Sequence, residues 1–260
     1  MRWVARGGIV PALVGRYRRA VFTPEGPSLR ELAIQALSSV DRGYDLLAPK
    51  FDYTPFRTSD DILEETARVL STMGRFDNGL DVCCGTGAGL RVLQTRCRGQ
   101  IVGVDFSAGM LAQARSRFPD ATLVQADARS LPFATDFDLA VSFGALGHFL
   151  PTDRSALFAE VHRVLRPGGL FAVAIGGPPP FLSGAHLALL GFDLAMLVRN
   201  TVVVRPQFVM YYGLMSQRAI DRDLATAGFR VEAVALTALG RHSDDSPRCS
   251  LLLARKLDRR

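Results

Sequence analysis

The sequence predicts an α/β domain built on a doubly wound, mostly parallel sheet of seven strands. Three observations carry that expectation. Short, nearly continuous apolar runs alternate with helix-period segments through the middle of the chain, the pattern of βαβ units whose sheet is covered on both faces. A glycine-rich turn joins the first run to the helix that follows it. The last two runs are separated by a polar loop (241–248) short enough for an antiparallel pair, so the final strand is expected to run against its neighbour.

The elements follow in order. Apolar residues recur at helical spacing from Leu29 to Leu47, until Pro49 and Pro55 break the chain. Ser59-Asp60-Asp61 opens a second helix, with Ile62, Ala67, Val69 and Leu70 as its apolar side. Strands are expected at 80–84, 101–104, 121–124, 139–143 and 170–175, with helices over 90–96, from about Met110 to Phe118, and through Leu157 to Leu165. Pro167-Gly168-Gly169 is expected to end the last of these. A helix over 216–227 then leads into strands 231–239 and 249–254. Residues 176–215 do not fit the alternation and read as an inserted, apolar helical lid.

At 260 residues, 48% of them hydrophobic, the chain suits one large α/β unit that needs no staples. Its 24 Gly and 14 Pro show no repeat, which excludes collagen-like and low-complexity classes. Cys83, Cys84, Cys97 and Cys249 have neither disulfide nor zinc spacing, and they suit reduced thiols in a cytoplasmic protein with no metal. The net charge of +6 is concentrated, because Arg2, Arg6, Arg16, Arg18, Arg19 and Arg30 against Glu25 leave residues 1–30 at +5. Residues 1–28 therefore read as a basic arm and 29–260 as the folded domain. A body so nearly neutral argues against nucleic acid, while the arm suits solvent, an acidic partner or peripheral contact with an anionic membrane.

Two apolar stretches carry no targeting signal. Gly8 to Gly15 contains Pro11, is flanked by arginines and lacks a small-residue cleavage site. Phe181 to Val198 contains His186 and Asp193 and falls short of a membrane span.

The turn Gly85-Thr86-Gly87-Ala88-Gly89 lies between a strand and a helix, where glycines let backbone approach a ligand closely. A dinucleotide fingerprint would need glycine at position 90, which is Leu90. Asp81, just before the loop, is an awkward neighbour for a pyrophosphate and suits a cationic ligand. A nicotinamide-dependent dehydrogenase is thereby disfavoured. Asp105 ends the second strand at the spacing of a carboxylate that takes both hydroxyls of a ribose. Gln125-Ala126-Asp127-Ala128 ends the third, where a carboxylate and adjacent backbone can read an adenine amino edge.

These segments, with Phe137 to Leu146 and Arg163 to Gly169, resemble the class I S-adenosylmethionine-dependent methyltransferases, in the subgroup of the ubiquinone and menaquinone C-methyltransferases. The resemblance covers residues 75–175 and extends to the C-terminal strand pair by topology. It implies a Rossmann-like methyltransferase fold with S-adenosyl-L-methionine as cofactor. Asp81 and the loop glycines Gly85, Gly87 and Gly89 would hold its methionine part, and Asp105 its ribose hydroxyls. Phe106 and Met110 would flank the adenine, Asp127 would accept from the adenine amino group beside the Ala128 backbone, and Phe143 would lie near the methionine moiety. The tract Tyr44 to Asp52 resembles the family's segment that closes over the cofactor, which makes Tyr44 a candidate contact.

Methyl transfer from a sulfonium asks the protein mainly to align three atoms and exclude water. A base is needed only where the nucleophile arrives protonated. His148, just after the fourth strand, is the candidate for that role. His162 and His242 receive none. In the insertion, Ser183, His186 and Asp193 share one quadrant of a helix, and Leu182, Leu187, Leu189, Phe192 and Met196 cover much of the rest. Such a cap, with Tyr211 and Tyr212, suits a small hydrophobic or aromatic acceptor, and it equally suits a homodimer contact. The alternative to an enzyme is a non-catalytic module that binds the cofactor and acts through a partner.

Overall fold

The computed structural model describes residues 25–54, 56–177, 179–180, 183–202 and 216–257. Most of the basic arm, residues 1–24, and Tyr211 and Tyr212 therefore lie outside the described residues. The helical pattern from Leu29 to Leu47 resolves into two helices, α1 (Leu29–Leu37) and α2 (Val40–Leu47). The break has a local cause in two adjacent serines. Ser38 donates its hydroxyl to the Ile34 carbonyl at 2.7 Å and leaves the helical region with ψ 172°, and Ser39 becomes the N-cap of α2. Ser28 and Glu31 form a reciprocal capping box at the start of α1. A 3₁₀ turn over Ala48–Tyr53 follows, then α3 (Asp60–Ser71).

The sheet has seven strands: β1 (Gly79–Val82), β2 (Ile101–Asp105), β3 (Thr122–Gln125), β4 (Phe137–Phe143), β5 (Leu165–Gly176), β6 (Phe229–Ala235) and β7 (Cys249–Lys256). Their order is β3-β2-β1-β4-β5-β7-β6, and β7 alone runs opposite to the other six. Helices α4 (Ala88–Arg96), α5 (Ala108–Arg117), α6 (Pro151–Val164), α7 (Gly184–Val202) and α8 (Gln217–Thr226) complete the described elements. The chain winds outward from β1 in one direction and from β4 in the other. The cleft between their carboxyl ends is thus the switch point where such sheets take ligands.

Two boundaries differ from the sequence expectation. Helix α6 ends at Val164, and Pro167-Gly168-Gly169 lies inside β5. Gly168 adopts φ +74°, and the β4–β5 register shifts between Phe137 and Leu139, so the tripeptide forms a strand irregularity where a helix stop was expected. The run 231–239 also shortens, because Thr237–Leu239 coils into a 3₁₀ turn after β6.

Alternation along the strands divides the core in two. Leu80 and Val82 of β1 and Phe171, Val173 and Ile175 of β5 pack with Leu157, Phe158 and Val161 of α6 and Ile220 of α8. Leu139 and Val141 of β4 and Leu170 and Ala172 of β5 pack with Leu63 and Leu70 of α3 and Leu90 and Leu93 of α4. Asp81, between Leu80 and Val82, therefore points to the α4 side of the sheet.

Candidate functional site

The loop after β1 is shaped by three left-handed residues, Cys83 (φ 58°), Gly85 (φ 52°) and Gly87 (φ 100°). At Gly87 a side chain would face two obstacles, the positive φ and the Phe118 ring that its Cβ would overlap. At Gly89 the obstacle is the Asp81 carboxylate, which lies where a Cβ would sit. Asp81 is 1% exposed and accepts from the Leu90 N–H at 2.9 Å, holding the first turn of α4 against the strand. Burial pushes its pKa well above the ordinary carboxylate range, and the nearby Asp105 charge adds to the rise.

Asp105 closes β2 at 6% exposure. One carboxylate oxygen accepts from the Gly85 N–H at 2.8 Å and the other from the Ser107 N–H at 2.9 Å. Burial raises its pKa, and these two N–H groups oppose the rise. Both oxygens are thus fixed in direction while keeping lone pairs for a further donor. The Cys83 and Cys84 thiols are pushed up by burial and by the neighbouring carboxylates, so they are thiols and not thiolates.

These elements enclose a cavity of about 460 Å³ above the switch point. Gly85, Asp105, Phe106, Met110, Asp127, Ala128, Phe143, Tyr44 and His148 all line it. Asp81, Gly87 and Gly89 are not among its lining residues; they shape the loop from beneath. Asp127 is tied to a neighbour, since Arg129 donates to both of its oxygens (2.7 and 3.1 Å to one, 3.0 Å to the other) and lowers its pKa. The same arginine reaches Asp153 at 3.1 Å.

The wall opposite comes from residues 40–58. Tyr44 is hydrogen-bonded through Oη to His148 Nε2 at 2.6 Å, and its ring meets Phe106 edge-on. Two carboxylates that follow this tyrosine anchor the segment to the turns after β2 and β1. Asp45 accepts from Ser107 Oγ at 2.6 Å and from the Gly109 N–H at 2.9 Å. Asp52 accepts from Thr86 Oγ1 at 2.8 Å and pairs with Arg117. Sequence reasoning missed Asp45, Asp52, Thr86, Ser107 and Arg129. The signal was present as two acids seven residues apart in the tract that follows Tyr44, with N–H and hydroxyl donors concentrated in the loops after β1 and β2.

Among the described residues none of 176–215 lines the cavity, and Val40, Phe51 and Phe56 cover it from the N-terminal side, with Phe149 and Leu150 after β4. Helix α7 turns Asp193 and Met196 inward, while Leu187, Leu194 and Leu197 are more than half exposed. Leu182 and the Phe192 side chain lie outside the described residues. Among the described residues no helix is long and apolar enough to cross a membrane.

A family model described as a methyltransferase domain matches residues 80–169, the span from β1 into β5 that carries both loops and the β4 edge. Over residues 80–169 the chain is similar to that methyltransferase domain, and its fold is one shared with S-adenosylmethionine-dependent methyltransferases. Proteins similar to this chain include a demethylmenaquinone methyltransferase of Chlamydia caviae, 35% identical over 136 residues, or 50% of this chain and 58% of that protein. Another is a dTDP-3-amino-3,4,6-trideoxy-alpha-D-glucopyranose N,N-dimethyltransferase of Streptomyces venezuelae, 40% identical over 96 residues, 36% of this chain and 40% of that protein. The chain spans about half the length of the curated relatives it matches. Among solved structures, an S-adenosylmethionine-dependent methyltransferase of Mesorhizobium loti superposes with TM-score 0.52 at 25% identity, covering 75% of this chain and 100% of that one.

Family and fold imply S-adenosylmethionine as the cofactor. The donor set fits that molecule. The cavity's lining acids are Asp105, Asp127 and Asp153, and both lining arginines are already paired, Arg57 with Asp60 and Arg129 with Asp127 and Asp153. A cationic diol suits such a lining, whereas a pyrophosphate would meet carboxylates with no unengaged arginine to offset them.

Proposed function

We propose that this methyltransferase moves a methyl group from S-adenosylmethionine to a small hydrophobic or aromatic acceptor. The observation that carries the reading is Asp105, a buried carboxylate aimed into the switch-point cleft by the Gly85 and Ser107 N–H groups. In this reading Asp105 takes the ribose hydroxyls, Phe106 and Met110 flank the adenine, and Asp127 with the Ala128 backbone meets its amino edge. Because Arg129 already holds Asp127, the adenine contact shares that carboxylate with the guanidinium. Gly85, Gly87 and Gly89 let the loop approach the methionine part, Asp81 contributes negative charge from below, and Phe143 packs beside it. When bound, the cofactor supplies an electrophilic methyl carbon. Val40, Phe51, Phe56, Phe149 and Leu150 exclude water around the acceptor, and His148 takes its proton where the nucleophile arrives protonated. Relatives named for quinone substrates support an apolar acceptor.

The test is incubation with methyl-labelled cofactor and a panel of hydroquinones, phenols and an amino sugar. Labelled product from one chemical class is expected. Saturable cofactor binding with no transfer to any of them would leave a binding module instead.

The cofactor site should also respond to pH with a definite sign. Burial raises Asp81 and Asp105 in the folded protein. Their contribution to stability is therefore fully present below the ordinary aspartate value of about 3.9 and is lost as pH rises through the raised folded values. A ligand that needs both acids charged follows the opposite course. Affinity for S-adenosylhomocysteine is expected to rise with pH above the ordinary aspartate range, by at most about tenfold per pH unit for each proton released. Calorimetry at a series of pH values checks this, and a flat profile would remove the carboxylates from the binding reading.

A further inference from the structure

Tyr44 and His148 stand 104 positions apart in the chain and meet across the cleft. Their hydrogen bond is 2.6 Å long, and the two rings sit edge-on with centroids 5.3 Å apart. Both line the cavity, in company with Phe51, Phe106, Phe143 and Phe149. A phenol hydroxyl bonded to an imidazole nitrogen at this length is a ready path for a proton, since each partner both donates and accepts.

We infer that the pair is a proton relay for a hydroxyl-bearing aromatic acceptor, with Tyr44 as the group that meets the acceptor and His148 acting through it. The inference rests on the methyltransferase reading above. Three observations support it. His148 Nε2 is engaged by Tyr44, so a proton bound for that nitrogen travels by way of the tyrosine oxygen. Tyr44 lines the cavity beside His148, and a phenol hydroxyl can both donate and accept, as a relay group must. The tyrosine's position is fixed by the next residue, because Asp45 is held by Ser107 Oγ and the Gly109 N–H on the loop that also orients Asp105. The aromatic walls select a flat acceptor by stacking and edge contacts.

The step balances without a further reagent. The acceptor O–H bond breaks and its proton joins Tyr44 Oη while the proton of Tyr44 passes to His148 Nε2. The electron pair stays on the acceptor oxygen, available to that oxygen or to a conjugated ring carbon as nucleophile. Tyrosine ends neutral, the imidazole becomes imidazolium, and water takes its proton after product leaves.

The experiment uses the full-length protein saturated with S-adenosylhomocysteine and titrated with 4-nitrophenol, at a pH where the free probe is mostly protonated. The visible phenolate band reports the ionisation of bound probe. Wild-type protein is expected to bind the probe as phenolate, and Tyr44→Phe and His148→Gln to bind it as phenol, each variant being saturated with S-adenosylhomocysteine at its own measured affinity. In turnover, both variants should lose roughly 100-fold in kcat on a weakly acidic hydroquinone and little on a phenol already ionised at assay pH. The double variant should be no worse than either single one. Equal ionisation in wild type and variants, equal losses on both acceptors, or no binding of any phenol to the loaded protein would overturn the relay. Failure to bind S-adenosylhomocysteine at all would instead fall on the methyltransferase reading itself.

Discussion

Replacing Asp105 with alanine should weaken S-adenosylhomocysteine binding by about 100-fold or more while the domain stays folded. A charged hydrogen bond contributes roughly 1.5–3 kcal/mol, and a carboxylate that spans a diol makes two of them. At about 1.4 kcal/mol per factor of ten, even the lower figure for each bond gives that loss. Folding is less affected because two effects oppose. The substitution leaves the Gly85 and Ser107 N–H groups without their acceptor, at about 1–3 kcal/mol each if no water replaces it. It also removes a buried charge whose raised pKa marks it as destabilising at neutral pH. Asp105→Asn keeps an acceptor oxygen and should fall between the two in affinity. Calorimetry with a thermal melt on each variant separates binding from stability, and near-native affinity in Asp105→Ala would end the ribose assignment.

Gly89→Ala should destabilise the free protein by roughly 3 kcal/mol. The added methyl would overlap the Asp81 carboxylate, which is buried beneath the first turn of α4 and cannot swing to solvent. Overpacking of this kind costs about 1–3 kcal/mol, and displacing Asp81 from the Leu90 N–H removes a charged hydrogen bond of similar size. Tilting the helix start would also misplace the loop, so cofactor affinity should fall together with stability. The combined Asp81→Ala and Gly89→Ala variant supplies the control. It should melt well above the sum of the two single losses, because the colliding group is gone. Additive losses, or a wild-type melt for Gly89→Ala, would show that the packing is not tight at this point.

Much of this architecture could be read from residues alone, for reasons specific to each element. The apolar runs of β1, β2, β4 and β5 are buried on both faces, so composition marked them without any help from alternation. Asp105 and Asp127 were legible because strand ends at a switch point give isolated acids a shared context. What escaped were features set by pairings distant in sequence. The β5 irregularity depends on register against β4, and Gly168 alone looks like an ordinary helix stop. The partnership of Asp127 with Arg129 needed side-chain geometry to distinguish an available carboxylate from an engaged one. Most instructive is the cover. Among the described residues Phe51 and Phe56 line the cavity, a placement that no periodicity in the sequence announces. Hydrophobicity says that a helix needs a partner surface but not which one.

The twin carboxylate anchors of residues 45 and 52 also bear on the rhythm of the catalytic cycle. They join the segment carrying Tyr44 to the turn after β2 through Ser107 and Gly109, to the loop after β1 through Thr86, and to the end of α5 through Arg117. On the proposed reading, a spent cofactor would lie beneath that segment and would leave once these anchors let go. Turnover should then be paced by escape of S-adenosylhomocysteine rather than by bond-making, and the acceptor should enter second and leave first.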